Sequence, residues 1–150
     1  MSNPWLVLTG VLGASGVALG AFGAHTLRMI LPLQKVAIFE TAVRYHLVHT
    51  LALLGTVILL ELFPERTAFR WAARGFTLGL ILFSFSLYGY AALDFTWLRF
   101  VTPVGGLVWI LAWAALAYAG WPSGNRPGGR TAGRRSGKGN RFGTSYPQRG

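Results

Sequence analysis

The sequence predicts an all-α fold, a bundle of four transmembrane helices, on three observations. Four long windows of the chain carry no charge. Apolar residues make up 53% of the 150 residues and charged residues only 12%, against about a quarter charged in an ordinary soluble domain. The glycines of the first window recur at helical spacing, as close contact between membrane helices requires. The mean hydropathy of +0.46 agrees. There is no cysteine, which excludes disulfides, thiolate metal sites and thiol catalysis.

The first window covers 1–27 and includes WLVLTGVLGASGVALGAFGAH, with no charge before Arg28. At ~1.5 Å per residue it is long enough for the ~17–20 residues that cross a bilayer core. Gly13, Gly16, Gly20 and Gly23 fall close to one helical face, and Gly16 and Gly20 form a GxxxG pair. This face is read as helix packing rather than as a lining for a flat ligand, and the first span is expected to be the central packing surface of the bundle. No Lys or Arg precedes the apolar run and no A-x-A site follows it. It is therefore read as a retained span and not as a signal peptide.

Pro32 stops the first helix. Residues 33–42 alternate apolar and polar at helical spacing and predict a short amphipathic helix between helices 1 and 2, running into the second span. That span, 45–60, lies between Arg44 and Glu61, whose charges can snorkel to the interface. Pro64 ends it. Arg66, Arg70 and Arg74 mark the next interface, and the third span runs over 75–93. A tight connection follows at 94–99. Thr102-Pro103 reads as a capping hydroxyl followed by proline at the first helical position, opening a fourth helix that ends near Gly120. Trp5, Trp71, Trp97 and Trp121 fall near the helix ends, where interfacial aromatics concentrate. Pro103, Gly105 and Gly106 join the first-span glycines as expected packing residues.

From residue 121 the composition changes. Seven of the 14 Lys+Arg follow Trp121, with no acid among them. This stretch has too few apolar residues to offset chain entropy and is predicted to be a disordered basic tail, 121–150, beyond a transmembrane domain of 1–120. Arg126, Arg130, Arg134, Arg135, Lys138 and Arg141 are expected to contact anionic lipid head groups, and nucleic acid is not expected as a partner. With four spans both termini share a side. The tail and the 62–74 turn are the basic side, so the positive-inside rule puts both termini in the cytoplasm.

That topology gathers His25, Tyr45, His46, His49, Ser84, Ser86 and Tyr88 into the outer half of the membrane. His46 and His49 are spaced i,i+3. With His25 they have the chemistry to hold a metal ion or haem. No carboxylate lies in the helix interiors and the spacing matches no zinc or haem signature, so hydrogen bonding between helices is favoured and no metal or cofactor is assigned. A Ser–His hydrolase is disfavoured for the same lack of a carboxylate.

LGAFGAH at 19–25, the stretch from Tyr45 to Gly55, Ser84 to Tyr88 with its S-x-SLY pattern, and TPVGG from Thr102 together resemble the YgdD-like family of small four-helix membrane proteins. The likeness covers about 5–120, and the long basic tail departs from it. The resemblance implies the fold and a membrane location, with inner-membrane members in bacteria, and supplies no activity, substrate or cofactor. The sequence is thus expected to encode a non-enzymatic structural, assembly or interaction protein of the bacterial inner membrane, with a membrane-protein partner or a second copy. A small oligomeric transporter or channel, or a haem- or metal-binding accessory subunit, is the alternative.

Overall fold

The structure, a computed structural model, describes residues 3–121. Four helices follow one another: α1 (Pro4–Ile30), α2 (Leu33–Leu62), α3 (Thr67–Leu93) and α4 (Thr96–Gly120). Each is long and apolar enough to cross a membrane, and among the described residues there is no strand. The protein is an all-α, four-span membrane protein. The basic tail, with Arg126, Arg130, Arg134, Arg135, Lys138 and Arg141, lies outside the described residues.

Local chemistry sets the helix ends. The Asn3 side chain accepts from the Trp5 backbone N–H at 2.9 Å, and Pro4 takes the first helical position, where its missing N–H costs nothing. Leu31 is extended because Pro32 follows it. The segment 33–42 is helical, as its periodicity indicates, but it is continuous with the second span: α2 runs for 30 residues without a break. α3 ends at Asp94, which is left-handed with φ 60°. Lys35 holds that corner through an ion pair with Asp94 and a 3.2 Å bond to the Tyr90 carbonyl. At the other end, Arg66 donates to the Ala119 carbonyl at 2.5 Å and clasps the last turn of α4. There it satisfies a carbonyl that the helix leaves free.

Thr102 does not cap α4. Its hydroxyl donates to the Leu98 carbonyl at 3.3 Å and pairs with Ser86 at 2.8 Å. A 3-10 turn, Thr96–Phe100, already leads into the helix and supplies the preceding carbonyls.

The inner helices are α2 and α3, not α1. α1 packs on α2, α3 packs on α2, and α4 packs mainly on α3. The α1 glycines face a single neighbour. A Cβ on Gly16 would stand 2.7 Å from Leu47 Cδ2, on Gly20 3.2 Å from Val43 Cγ1, and on Gly23 2.9 Å from Phe39 Cδ1. Gly13 is looser, with Thr50 at 3.9 Å. A second tight seam joins α3 to α4. A Cβ on Gly75 would meet that of Ala112 at 2.8 Å, one on Gly79 would enter the Trp109 indole, and one on Gly105 would lie 2.5 Å from the Phe83 backbone nitrogen. Between these seams lies a core of Leu12, Leu53, Val57, Phe76, Leu80 and Trp109. Phe39, Ala42, Tyr88 and Ala91 form a second cluster toward the Asp94 end. The outer surfaces of α1 and α4 remain apolar and exposed, with Val11 and Val17 on one and Ile110 and Leu111 on the other. Such surfaces are stable against lipid tails, which are as apolar as leucine.

Candidate polar site within the bundle

His46 and His49 occupy the middle turns of α2. An i,i+3 spacing leaves two side chains about 60° apart around a helix of 3.6 residues per turn. In this bundle that angle sends them to opposite sides of α3. His46 points between α1 and α3 and is fully buried. Its Nδ1 is 3.2 Å from the Tyr88 hydroxyl, a hydrogen bond between α2 and α3. Its ring lies against Gly16, where an added Cβ would be 3.4 Å from the ring Cδ2. Its Nε2 has no partner among the described residues, nor has the buried hydroxyl of Ser84.

His49 faces α3 and α4 instead. Its Nδ1 donates to the Tyr45 carbonyl at 2.9 Å, one turn back. That bond makes Nε2 the acceptor nitrogen. The Trp113 Nε1–H reaches it only at 3.5 Å. The ring stacks on Trp109 with centroids 3.5 Å apart and planes 4° from parallel. Trp109 is itself fixed, donating its Nε1–H to the Phe76 carbonyl at 3.1 Å.

The residues expected to form one cluster are therefore divided. His46 and Tyr88 make one buried pair. Tyr45 and His49 belong to an aromatic wall with Phe83, Trp109 and Trp113. Ser86 bonds Thr102 and ties α3 to α4. His25 is exposed on a π-helical turn, Gly23–Leu27. Among the described residues no three His, Asp or Glu side chains converge as metal ligands. Three of the four acids are otherwise engaged: Glu40 with Arg28 at 2.5 Å, Asp94 with Lys35, and Glu61 with Asn3 at 2.6 Å, while Glu65 lies in the turn between α2 and α3. No carboxylate reaches a histidine to complete a nucleophilic triad.

Of the expected packing residues, Gly16, Gly20, Gly23 and Gly105 meet their neighbours closely, whereas Gly106 has room: an added Cβ would rest 3.8 Å from the Phe83 ring. Pro103 lies at the mouth of the aromatic wall. Sequence reasoning missed Gly75 and Gly79, although they form a GxxxG pair. It also missed Trp109 and Trp113, whose i,i+4 spacing in mid-helix puts two indoles on one face.

Residues 19–106 match a family model described as "Protein of unknown function (DUF423)". A UPF0382 membrane protein of Haemophilus influenzae is 33% identical over 123 residues, covering 82% of this chain and 98% of that protein. The UPF0382 inner membrane protein YgdD of Escherichia coli K12 is 36% identical over 113 residues, 74% of this chain and 84% of its own. The UPF0382 membrane protein YwdK of Bacillus subtilis is 30% identical over 115 residues, 77% and 94% respectively. No solved structure matches the chain.

Proposed function

The chain belongs to the DUF423 family of membrane proteins, and from that premise we propose that it is a non-enzymatic interaction or assembly protein of the bacterial inner membrane. Its termini are in the cytoplasm and its outer helices face a membrane partner or a second copy. The observation that carries this reading is how the interior polar groups are used. Tyr88 bonds His46, Ser86 bonds Thr102, and the hydroxyls of Thr50 and Thr56 donate to carbonyls one turn back. The first two contacts join helices, the threonine bonds satisfy hydroxyls within α2, and together they leave no base-activated nucleophile among the described residues. The similarity to an E. coli protein named as an inner membrane protein supports the inner membrane. Arg66, Arg70 and Arg74 at the α2–α3 turn, with the basic tail, support the orientation. The tail is then an anchor to anionic lipid rather than a nucleic-acid arm.

Purification in mild detergent tests the function. A stoichiometric membrane-protein partner or a defined homo-oligomer without transport is the expected result. Solute flux in liposomes, or a coloured protein retaining haem, would overturn it. Orientation is tested by labelling Thr96→Cys and Ser136→Cys in intact cells with an impermeant thiol reagent. Labelling at 96 and protection at 136 is expected, and the reverse pattern sinks the orientation.

A further inference from the structure

We propose that the lateral groove between α2 and α4 binds the head group of a lipid-soluble quinone or quinol. The groove has a volume of ≈ 570 Å³ and is lined by Tyr45, His49, Phe83, Gly106, Trp109 and Trp113, among others. Tyr45 and Trp113 are 42% and 46% exposed, so its mouth opens sideways into the bilayer.

Three features fit a flat ring bearing oxygens. First, the Tyr45, His49 and Trp109 rings are nearly parallel, 11° between Tyr45 and His49, 4° between His49 and Trp109, and 13° between Tyr45 and Trp109. The 3.5 Å contact closes His49 against Trp109, so Tyr45, 42% exposed, is the ring of this stack on which another planar ring can lie, whereas an acyl chain has no face to stack. Second, the His49 side chain is 94% buried by its 6% exposure, yet its acceptor nitrogen has only the 3.5 Å contact to Trp113, beyond ordinary hydrogen-bond length. A quinol hydroxyl can donate to it. Third, the Tyr45 hydroxyl makes no hydrogen bond among the described residues and is a donor for a quinone carbonyl. A head group held this way avoids leaving polar atoms bare in hydrocarbon. Gly106 keeps the groove open, since nothing crowds its missing side chain.

The test is photolabelling of the full-length protein in nanodiscs with an azido-substituted ubiquinone analogue, with labelled peptides read by mass spectrometry. Label is expected on the peptides carrying Tyr45, His49, Trp109 and Trp113, and decylubiquinone should compete it away. That competition needs no variant. His49→Phe keeps the ring stack and removes the acceptor, and should weaken competition about tenfold, the scale of one lost hydrogen bond. Gly106→Leu fills the groove and should abolish the specific label. Gly10→Leu, on the lipid face of α1 with nothing within 4 Å, should label as the parent does. Melting temperatures check that each variant is folded. Label spread over the lipid faces of α1 and α4 and not competed by decylubiquinone would overturn the proposal. So would displacement by excess phospholipid as effective as by decylubiquinone, which would make the occupant an acyl chain.

Discussion

Trp109 fills the place of the side chain that Gly79 lacks. Its indole lies where a Cβ at residue 79 would stand, and its Nε1–H donates past it to the Phe76 carbonyl at 3.1 Å. One glycine therefore sets both the α3–α4 distance and the position of the indole on which His49 stacks. Gly79→Ala is expected to lower stability by about 1–3 kcal/mol through overpacking. Gly55→Ala, where nothing lies within 4 Å, should leave stability unchanged or raise it by up to about 1 kcal/mol. Melting or denaturant titration in one detergent checks the contrast, and equal behaviour of the two variants would refute this account of the seam.

The α1 glycines should rank by their distance from α2. Gly16→Leu drives into Leu47 and should cost about 1–3 kcal/mol, and Gly20→Leu should also destabilise against Val43. Gly13→Ala places its methyl in ordinary contact with Thr50 and should cost little. If Gly16→Leu melted with the parent, this face would be meeting lipid and not α2.

The buried His46–Tyr88 pair should behave as a unit. Tyr88→Phe leaves Nδ1 of His46 without a partner, beside an Nε2 that already has none among the described residues. The expected cost is about 1–2 kcal/mol. Adding His46→Leu removes the stranded polar atoms, so the double variant should be more stable than Tyr88→Phe alone. A double-mutant cycle measures this, and strictly additive losses would show that the bond contributes nothing.

At the α3 corner, backbone shape should outweigh charge. Asp94 is left-handed, and its ion pair with Lys35 is exposed on the Asp94 side. Exposed pairs contribute about 0–1 kcal/mol, whereas a left-handed residue with a Cβ costs about 1–2 kcal/mol. Asp94→Ala should therefore melt below Asp94→Asn, and Asp94→Gly should equal or exceed Asp94→Asn. A uniform drop in all three would assign the corner to the ion pair instead.

Four spans were legible because length, charge and proline punctuate a membrane chain strongly: Pro4, Pro32 and Pro64 each stand at a helix boundary. The glycine face of α1 was legible as a contact, but its partner was not. Lipid tails and leucine are equally apolar, so hydrophobic periodicity does not tell a core face from a lipid face, and α2 and α3 carry no mark of being the inner pair. The polar site was legible in height and not in azimuth. Topology placed His25, His46 and His49 toward one end, but about 100° per residue sends each in its own direction. Only the packed structure shows that His46 meets Tyr88, that His49 meets Trp109, and that His25 stays outside.

The π-helical turn Ile81–Phe85 has a consequence for how α3 is inherited and altered. A π turn holds an extra residue relative to the α-helix, so Thr67–Leu80 and Ser86–Leu93 are two reading frames joined by a one-residue shift. The first is phased to α4 and α2, the second to α2 and the Thr96–Phe100 turn. Deleting a single residue from this joint would make α3 a regular rod with both frames still facing their partners, whereas a deletion within either flanking α segment would turn one frame about 100° against the other. Tyr88 would keep its bond to His46 in the first case and swing away from it in the second. The irregularity is what lets one straight segment of membrane helix hold an extra residue without turning either frame from its partners.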